Sequence, residues 1–236
     1  AAIQRDAALA MPEGDFDRWL ARADEEFAGT NFDSILATLE TCGALFERFF
    51  ADVGRRDALQ KRVLEGYPKL PRDARLKLIL QIARTAAGRG DGMRALDLVH
   101  EAERIVVGVR FHAEDEVYLK ARIAGITCRA GDTAEGKKRL DDVQRLYDAN
   151  EKSIVDIYRA AALRAIAEAA VDADQTDRAL AVYAKAVEAG LANPNSRPRA
   201  DDVAATCLSL ARRGVKPTPE LLERLRAIVN DLRDPW

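Results

Sequence analysis

A helix–turn–helix pattern that occurs three times in the sequence constrains the fold more than any other feature. Each copy begins with a small residue, has another three positions later, and then has a short turn. After the turn comes a further small residue, followed four positions later by a larger one. The copies extend from Ala83 to Ala102, from Ala124 to Val143 and from Ala167 to Ala186. Small residues at matched positions allow two antiparallel helices to approach closely, so we predict three helical hairpins that must stack to bury both faces.

The turn of the first copy lies in the segment AGRGDGMRAL, residues 87–96, which also permits two other interpretations. A phosphate-binding glycine loop needs a preceding strand, whereas the apolar spacing before this segment is helical. The second alternative interpretation is an Arg-Gly-Asp adhesion motif, but the corresponding turns of the other copies lack that tripeptide. We therefore predict a hairpin turn in which Gly88 and Gly90 end one helix and Asp91 or Gly92 caps the next.

Apolar residues recur at three- and four-residue spacing through almost the whole chain, and no segment alternates as a strand would. The composition agrees, because aromatic residues make up 6% of the 236 and only 8 prolines and 14 glycines interrupt the chain. We predict about eleven helices, and allow for a short leading helix over residues 1–10. The predicted ranges are 14–28, 33–53, 55–66, 72–88, 92–107, 114–130, 134–149, 152–172, 176–190, 201–213 and 218–233.

These helices are expected to form one continuous domain with two regions. Residues 1–70 contain no copy of the pattern but are rich in phenylalanine, which predicts a divergent repeat or an N-terminal cap. Residues 71–236 contain the three copies and end in a helix pair that caps the stack. The segment 193–198, with two prolines, is expected to break the chain before that pair.

The hairpin pattern resembles the tetratricopeptide repeat, in which small residues flank a glycine turn and an alanine precedes a large residue by four positions. The resemblance implies an all-α fold of antiparallel helical hairpins stacked into a right-handed α-solenoid. The copies begin 41 and then 43 residues apart, against about 34 in the family, so longer helices or connections are expected. The matching positions are Ala83, Ala86, Gly90, Ala95, Val99 and Ala102, then Ala124, Gly131, Gly136 and Leu140, and finally Ala167, Ala170, Ala179, Tyr183 and Ala186.

The same resemblance implies a binding groove, because the first helix of each hairpin lines the concave surface in this family. Cationic side chains dominate the matching positions, and guanidinium groups bind carboxylates in a fork geometry. The implied function is that of a protein-interaction scaffold whose partner is an acidic or extended peptide or protein. Solvated charges on helix faces are the alternative interpretation. The candidate groove residues are Lys77, Arg84, Tyr118, Arg129, Arg164 and Glu168.

No set of residues in the sequence predicts catalysis, a cofactor or a metal. The two histidines, His100 and His112, are twelve residues apart and lack the i, i+4 spacing of a helical metal pair. Neither a nucleophile elbow nor a nucleotide-binding loop is present, and the paired acids are typical of helix starts and solvated faces. We therefore predict a protein that is not an enzyme. A sensor or regulatory domain of a larger protein and an α-helical enzyme are kept as alternatives.

Charge and cysteine content limit partners and compartment. A net charge of −2 argues against nucleic acid as a partner, and no run of about 18 apolar residues predicts a membrane span. Cys42, Cys128 and Cys207 lie in apolar helical stretches and are expected to be buried thiols. Their odd number favours a reducing cytoplasmic compartment, whereas the missing initiator methionine leaves a processed exported form open.

The end of the chain suggests self-association. The last predicted helix has a wide leucine-rich stripe that includes Leu221 and Leu232, and the chain ends at Trp236. Most of the stripe is expected to pack on the preceding hairpin. Terminal repeats with uncovered faces pair readily, so a homo-oligomer formed through them is an expectation.

Overall fold

The computed structural model describes residues 2–231, with side chains from residue 6 onward. Helices make up 82% of the described residues, twelve of them α-helices, and no strand is present in that part of the chain, which confirms the predicted all-α fold. Two short 3-10 turns, Glu13–Asp15 and Tyr67–Lys69, join them. The helices are α1 (Ala2–Ala10), α2 (Phe16–Ala28), α3 (Phe32–Arg48), α4 (Val53–Gly66), α5 (Arg72–Gly88), α6 (Gly92–Val106), α7 (Ala113–Arg129), α8 (Thr133–Asn150), α9 (Asp156–Asp172), α10 (Thr176–Leu191), α11 (Ser196–Arg212) and α12 (Pro219–Asp231).

Three helix boundaries differ from the predicted ones by four or five residues. α3 ends at Arg48 because Asp52 caps a new helix, and the Asp52 side chain accepts a hydrogen bond from the Arg55 amide. α9 begins four residues later than predicted, at Asp156. α11 begins five residues earlier, because Pro198 lies in its first turn, where a missing N–H costs nothing. Leu232, part of the stripe for which packing was predicted, and Trp236 lie outside the described residues.

The chain divides into two compact units, one up to Val109 and one from Arg110 onward. In the first unit α3 pairs with α4, α5 pairs with α6, and α3 lies beside α5. In the second unit α7 pairs with α8 and α9 with α10, while α7, α9 and α11 lie side by side. The six central helices, α5 to α10, are each 15 to 18 residues long. Their length explains why the copies of the pattern begin so far apart in the sequence. The boundary predicted at residue 70 separates the region without the repeated pattern from the region that contains it. It is a different kind of boundary from the one between the compact units, and it stays a prediction.

The turns inside the hairpins have the geometry predicted for AGRGDGMRAL. Gly90 has a φ of 82° and the Asp91 amide bonds to the Ala86 carbonyl at 3.0 Å, which closes the helix C-terminus. The Asp91 side chain then accepts from the Arg94 amide as the cap of α6. Positive φ recurs at the equivalent turns, at Gly131, Asp174 and Gly214.

The small and large residues of the repeated pattern form the hairpin cores. Within the first copy Ala83, Ala95 and Ala102 are 0% exposed, and in the third Tyr183 fills the space beside two buried alanines. Close packing of this kind excludes water from the helix contacts and stabilises each pair. The phenylalanine cluster of the first unit is also buried, with Phe16 and Phe49 in edge-to-face contact at 5.2 Å.

Candidate functional site

The first helices of the second unit, α7, α9 and α11, form a layer in which neighbours run in the same direction. Gly125 of α7 lies against Ala169 and Asp172 of α9. A Cβ on Gly125 would be 3.3 Å from the Ala169 Cα and 2.8 Å from Asp172 Oδ2. The absence of a side chain at Gly125 therefore allows the two backbones to approach and leaves room for the Asp172 carboxylate.

Asp172 is the centre of an ion-pair network that joins the three helices. Its side chain is 7% exposed and pairs with Arg129 of α7 at 3.3 Å and with Arg213, which follows α11. Arg213, 9% exposed, also pairs with Glu168 at 3.3 Å. Burial alone would lower the pKa of Arg213, but the charges of Asp172 and Glu168 outweigh burial and raise that pKa. Arg213 therefore remains charged at any physiological pH.

A hydrogen-bond chain extends this network into the hairpin core. The Ser209 hydroxyl donates to Glu168 Oε1 at 2.6 Å. Because that bond uses the single proton of Ser209, the Tyr183 hydroxyl donates to Ser209 over 2.8 Å. Burial is the main cause of a raised Tyr183 pKa, so the phenol keeps its proton. Glu168 thus holds α10 and α11 together through two hydroxyl groups.

Four of the six predicted groove residues lie on this layer. Arg129 and Glu168 belong to the ion-pair network, and Arg164 is 3.4 Å from the Thr206 hydroxyl of α11. Tyr118 is 47% exposed, with the Arg122 guanidinium 5.7 Å from its ring centre.

The other two predicted residues lie on α5 in the first unit. Lys77 pairs with Glu40 of α3 at 2.9 Å, and Arg84 is partly buried. Lys77 and Arg129 were expected to bind an acidic ligand. Each of them already lies beside a carboxylate of its own unit.

Sequence reasoning missed the residues that complete the network and the exposed apolar residues at the other end of α9. Asp172 and Arg213 lie 43 and 84 residues after Arg129, so no local pattern joins them; the 41- and 43-residue repeat offsets were the only signal. Val155, Ile157 and Tyr158, at the start of α9, are each at least 40% exposed.

The described residues contain no cluster typical of a metal centre. Between residues 6 and 231 no group of three or more metal-ligating side chains is present, and His100 and His112 are exposed. All three cysteines are free thiols; Cys42 and Cys128 are buried and Cys207 is partly buried. Burial raises the pKa of Cys42 to about 12 and that of Cys128 to about 11, so neither is an activated thiolate. Among the described helices none is long and apolar enough to cross a membrane.

Comparisons of the chain with protein-family models, with curated proteins and with solved structures find no match. The resemblance to the tetratricopeptide repeat therefore depends on the quoted residues alone and stays a prediction.

Proposed function

We propose that the protein is a non-enzymatic interaction scaffold of the tetratricopeptide-like kind, which binds a peptide or protein along the first helices of its hairpins. The observation that supports this most is a group of exposed apolar side chains on those helices. Tyr118 on α7 is 47% exposed, and Ile157 and Tyr158 on α9 are 40% and 46% exposed. Tyrosine is enriched where proteins bind one another, because its ring buries a large area at a small entropic cost.

The rigidity of the layer also supports the proposal. Asp172 and Glu168 bind side chains of the neighbouring first helices, so ion pairs and a hydrogen bond link the helices that carry the exposed tyrosines. A surface held in one arrangement before binding loses less entropy when a partner docks. Within each unit, the hairpins would follow one another as in a right-handed α-solenoid.

The proposed partner is an extended peptide segment that lies across α7 and α9. Its contacts would be apolar, to Tyr118 and Tyr158, with Arg122 and Arg164 available to acidic side chains. Arg129 contributes less to such recognition, because a carboxylate of its own unit already binds it.

Capture of partners with the tagged full chain tests the proposal. The double variant Tyr118→Ala/Tyr158→Ala is compared with Met93→Ala, a control at a residue that is 78% exposed in the first unit. We expect recovery of specific partners to fall at least about tenfold in the double variant, as for loss of interface anchors, with the melting temperature unchanged. Equal recovery by both variants would refute the assignment of this surface. The variant Arg164→Glu then asks separately whether the partner is acidic.

A further inference from the structure

A groove lies in the second unit between α8, α9, α10 and α12. It is an open groove of about 860 Å³, of the size of a ligand site. Leu163, Leu180, Ala181, Ala184 and Leu221 provide its apolar part. The groove takes Arg159 and Leu163 from α9, but none of the residues proposed above to bind a partner lines it, so its occupant does not depend on the function proposed above.

Tyr147 of α8 is the observation that indicates a ligand. The residue lines the groove and is 2% exposed, and its phenolic oxygen has no hydrogen-bond partner among the described residues. Burying a hydroxyl without a partner is costly, so native proteins rarely leave one unsatisfied. Burial, followed by the charge of Glu151, raises the pKa of Tyr147 to about 12, so the phenol is neutral and its oxygen can accept a hydrogen bond.

The charged groups that line the groove favour a cationic ligand. Arg224 and Glu188 neutralise each other through two bonds of 2.7 and 2.9 Å, and Arg159 is paired with Asp156 at 2.7 Å. Beyond these pairs the lining has four carboxylates and one ammonium group, that of Lys185. Glu151, Arg159 and Asp148 all act electrostatically on the Tyr147 hydroxyl and therefore lie at the same end of the groove, where Asp156 already pairs with Arg159. The four carboxylates are Asp148, Glu151, Asp177 and Glu220.

The shape of the groove favours a helix. The lining residues of α10 extend from Asp177 to Ala189, about 18 Å along the helix axis at 1.5 Å per residue. Ala181 and Ala184 face the groove with methyl groups only, so the backbone of a second helix can approach closely. A partner helix of about three turns would match this length, with its apolar face on the alanines and leucines.

We propose that this groove binds an amphipathic helical segment of a partner protein that has lysine or arginine at the edge of its apolar face. A basic side chain of that segment donates a hydrogen bond to the Tyr147 oxygen and pairs with Glu151 and Asp148. The apolar side chains of the segment pack on Leu163, Leu180 and Leu221.

Titration of the full chain with two synthetic peptides tests the proposal. Both are helical peptides of about three turns with leucines on one face; one has lysines at the edges of that face and the other has glutamates. We expect the lysine peptide to bind, with an affinity that falls as salt is added, and the glutamate peptide not to bind. Binding of both peptides with equal affinity, or of neither, overturns the proposal.

Variants locate the binding and separate it from effects on folding. Tyr147→Phe removes only the unpartnered hydroxyl, so we expect lysine-peptide affinity to fall about fivefold while the melting temperature stays equal or rises. Ala181→Trp fills the groove from an exposed position and should weaken binding at least about tenfold, whereas Ala134→Trp, exposed on α8 outside the groove, is the matched control. Unchanged affinity in both groove variants, or an equal loss in the control, overturns the proposal.

Discussion

Gly136, in the first turn of α8, lies directly against Cys128 near the end of α7. A Cβ added to Gly136 would overlap the Cys128 sulfur and would lie 2.8 Å from the Cys128 amide nitrogen. Real Cβ atoms essentially never approach backbone this closely. The α7–α8 hairpin therefore depends on glycine at this position, although the corresponding positions of the other two copies, Ala95 and Ala179, have alanine.

Gly136→Ala is expected to destabilise the protein by about 1–3 kcal/mol, as overpacking of a tight contact does. The measurement is the free energy of unfolding from urea titration. Gly54→Ala is the control, because this exposed helical glycine has no close backbone neighbour and alanine is the better helix former there. A second change, Cys128→Ala, should restore only part of the loss, since the clash with the backbone nitrogen remains. A neutral Gly136→Ala would contradict the observed approach.

Asp172→Ala is expected to cost about 3 kcal/mol or more, because Arg213 would remain 9% exposed with one of its two carboxylate partners gone. Asp142→Ala is the matched control: its partner Arg145 is 72% exposed, and loss of such a surface pair costs less than about 1 kcal/mol. Urea unfolding of both variants at one salt concentration gives the comparison. If the two losses are equal, the ion-pair network does not hold the first helices together.

Asp91→Ala is expected to cost about 1 kcal/mol at pH 7, because α6 loses its N-cap and Arg94 loses an ion-pair partner at 2.9 Å. Burial raises the pKa of Asp91, but the hydrogen bonds and charge of Arg94 outweigh burial and hold the pKa below its usual range. The folded pKa is lowered, so this stabilisation is present above the pKa of the unfolded chain, about 3.9, and is lost as pH falls through the folded value. The cost of Asp91→Ala should therefore shrink below about pH 4.

Asp91→Asn separates the two contributions, since asparagine still caps a helix but has no charge. Asp91→Asn should cost less stability than Asp91→Ala at pH 7. In both variants the free energy of unfolding should depend less on pH in the acid range than it does in the unmodified chain. A cost of Asp91→Ala that is constant from pH 7 to pH 3 would contradict the ion pair with Arg94.

Thiol reactivity should follow burial. Because burial raises the pKa of Cys42 to about 12 and of Cys128 to about 11, both stay protonated at pH 8 in the folded protein. Cys207 is partly buried, so we expect iodoacetamide to modify Cys207 first and Cys42 only on unfolding, as read by peptide mass spectrometry. Modification of all three at equal rates in the native protein would contradict the packing of α3.

The raised pKa of Cys42 also predicts alkaline sensitivity. The folded protein holds this proton more tightly than the unfolded chain, whose thiol has a pKa near 9.0. Stability is therefore complete below pH 9 and falls as pH rises from there towards about 12. Cys42→Ala should lose less stability between pH 8 and pH 10.5 than the unmodified chain, as measured by the urea midpoint at each pH.

The helices and their turns could be predicted because both depend on nearby residues. The three- and four-residue apolar spacing predicts both ends of α5 correctly, and glycine or Asp-Gln after a helix marks the three turns. The start of α11 was placed too late, because Pro198 was interpreted as a breaker although it is also allowed in a first turn. Both structures of that segment are locally acceptable, and only the packing of α11 on α10 selects one.

For the candidate groove residues, the sequence predicts the helix that carries each one but not the charged neighbours that it meets in the fold. Arg129 and Lys77 are on the helices that the repeat pattern assigned them to, but whether a cation is available to a ligand depends on neighbours about 40 residues away. Tyr147 illustrates the same limit, since its unpartnered hydroxyl follows from where α8, α9 and α12 lie.

The sequence by itself therefore determined the helical class, the hairpins and the turns, because backbone preference and apolar periodicity operate within a few residues. Only the tertiary structure decided which side chains are neutralised, which remain exposed and where a groove opens. Those properties depend on distances of a few ångströms between helices that are far apart in the chain. Coulombic and hydrogen-bond interactions change sharply over such distances, so Asp172 joins Arg129 and Arg213 in the fold without any signal in local sequence.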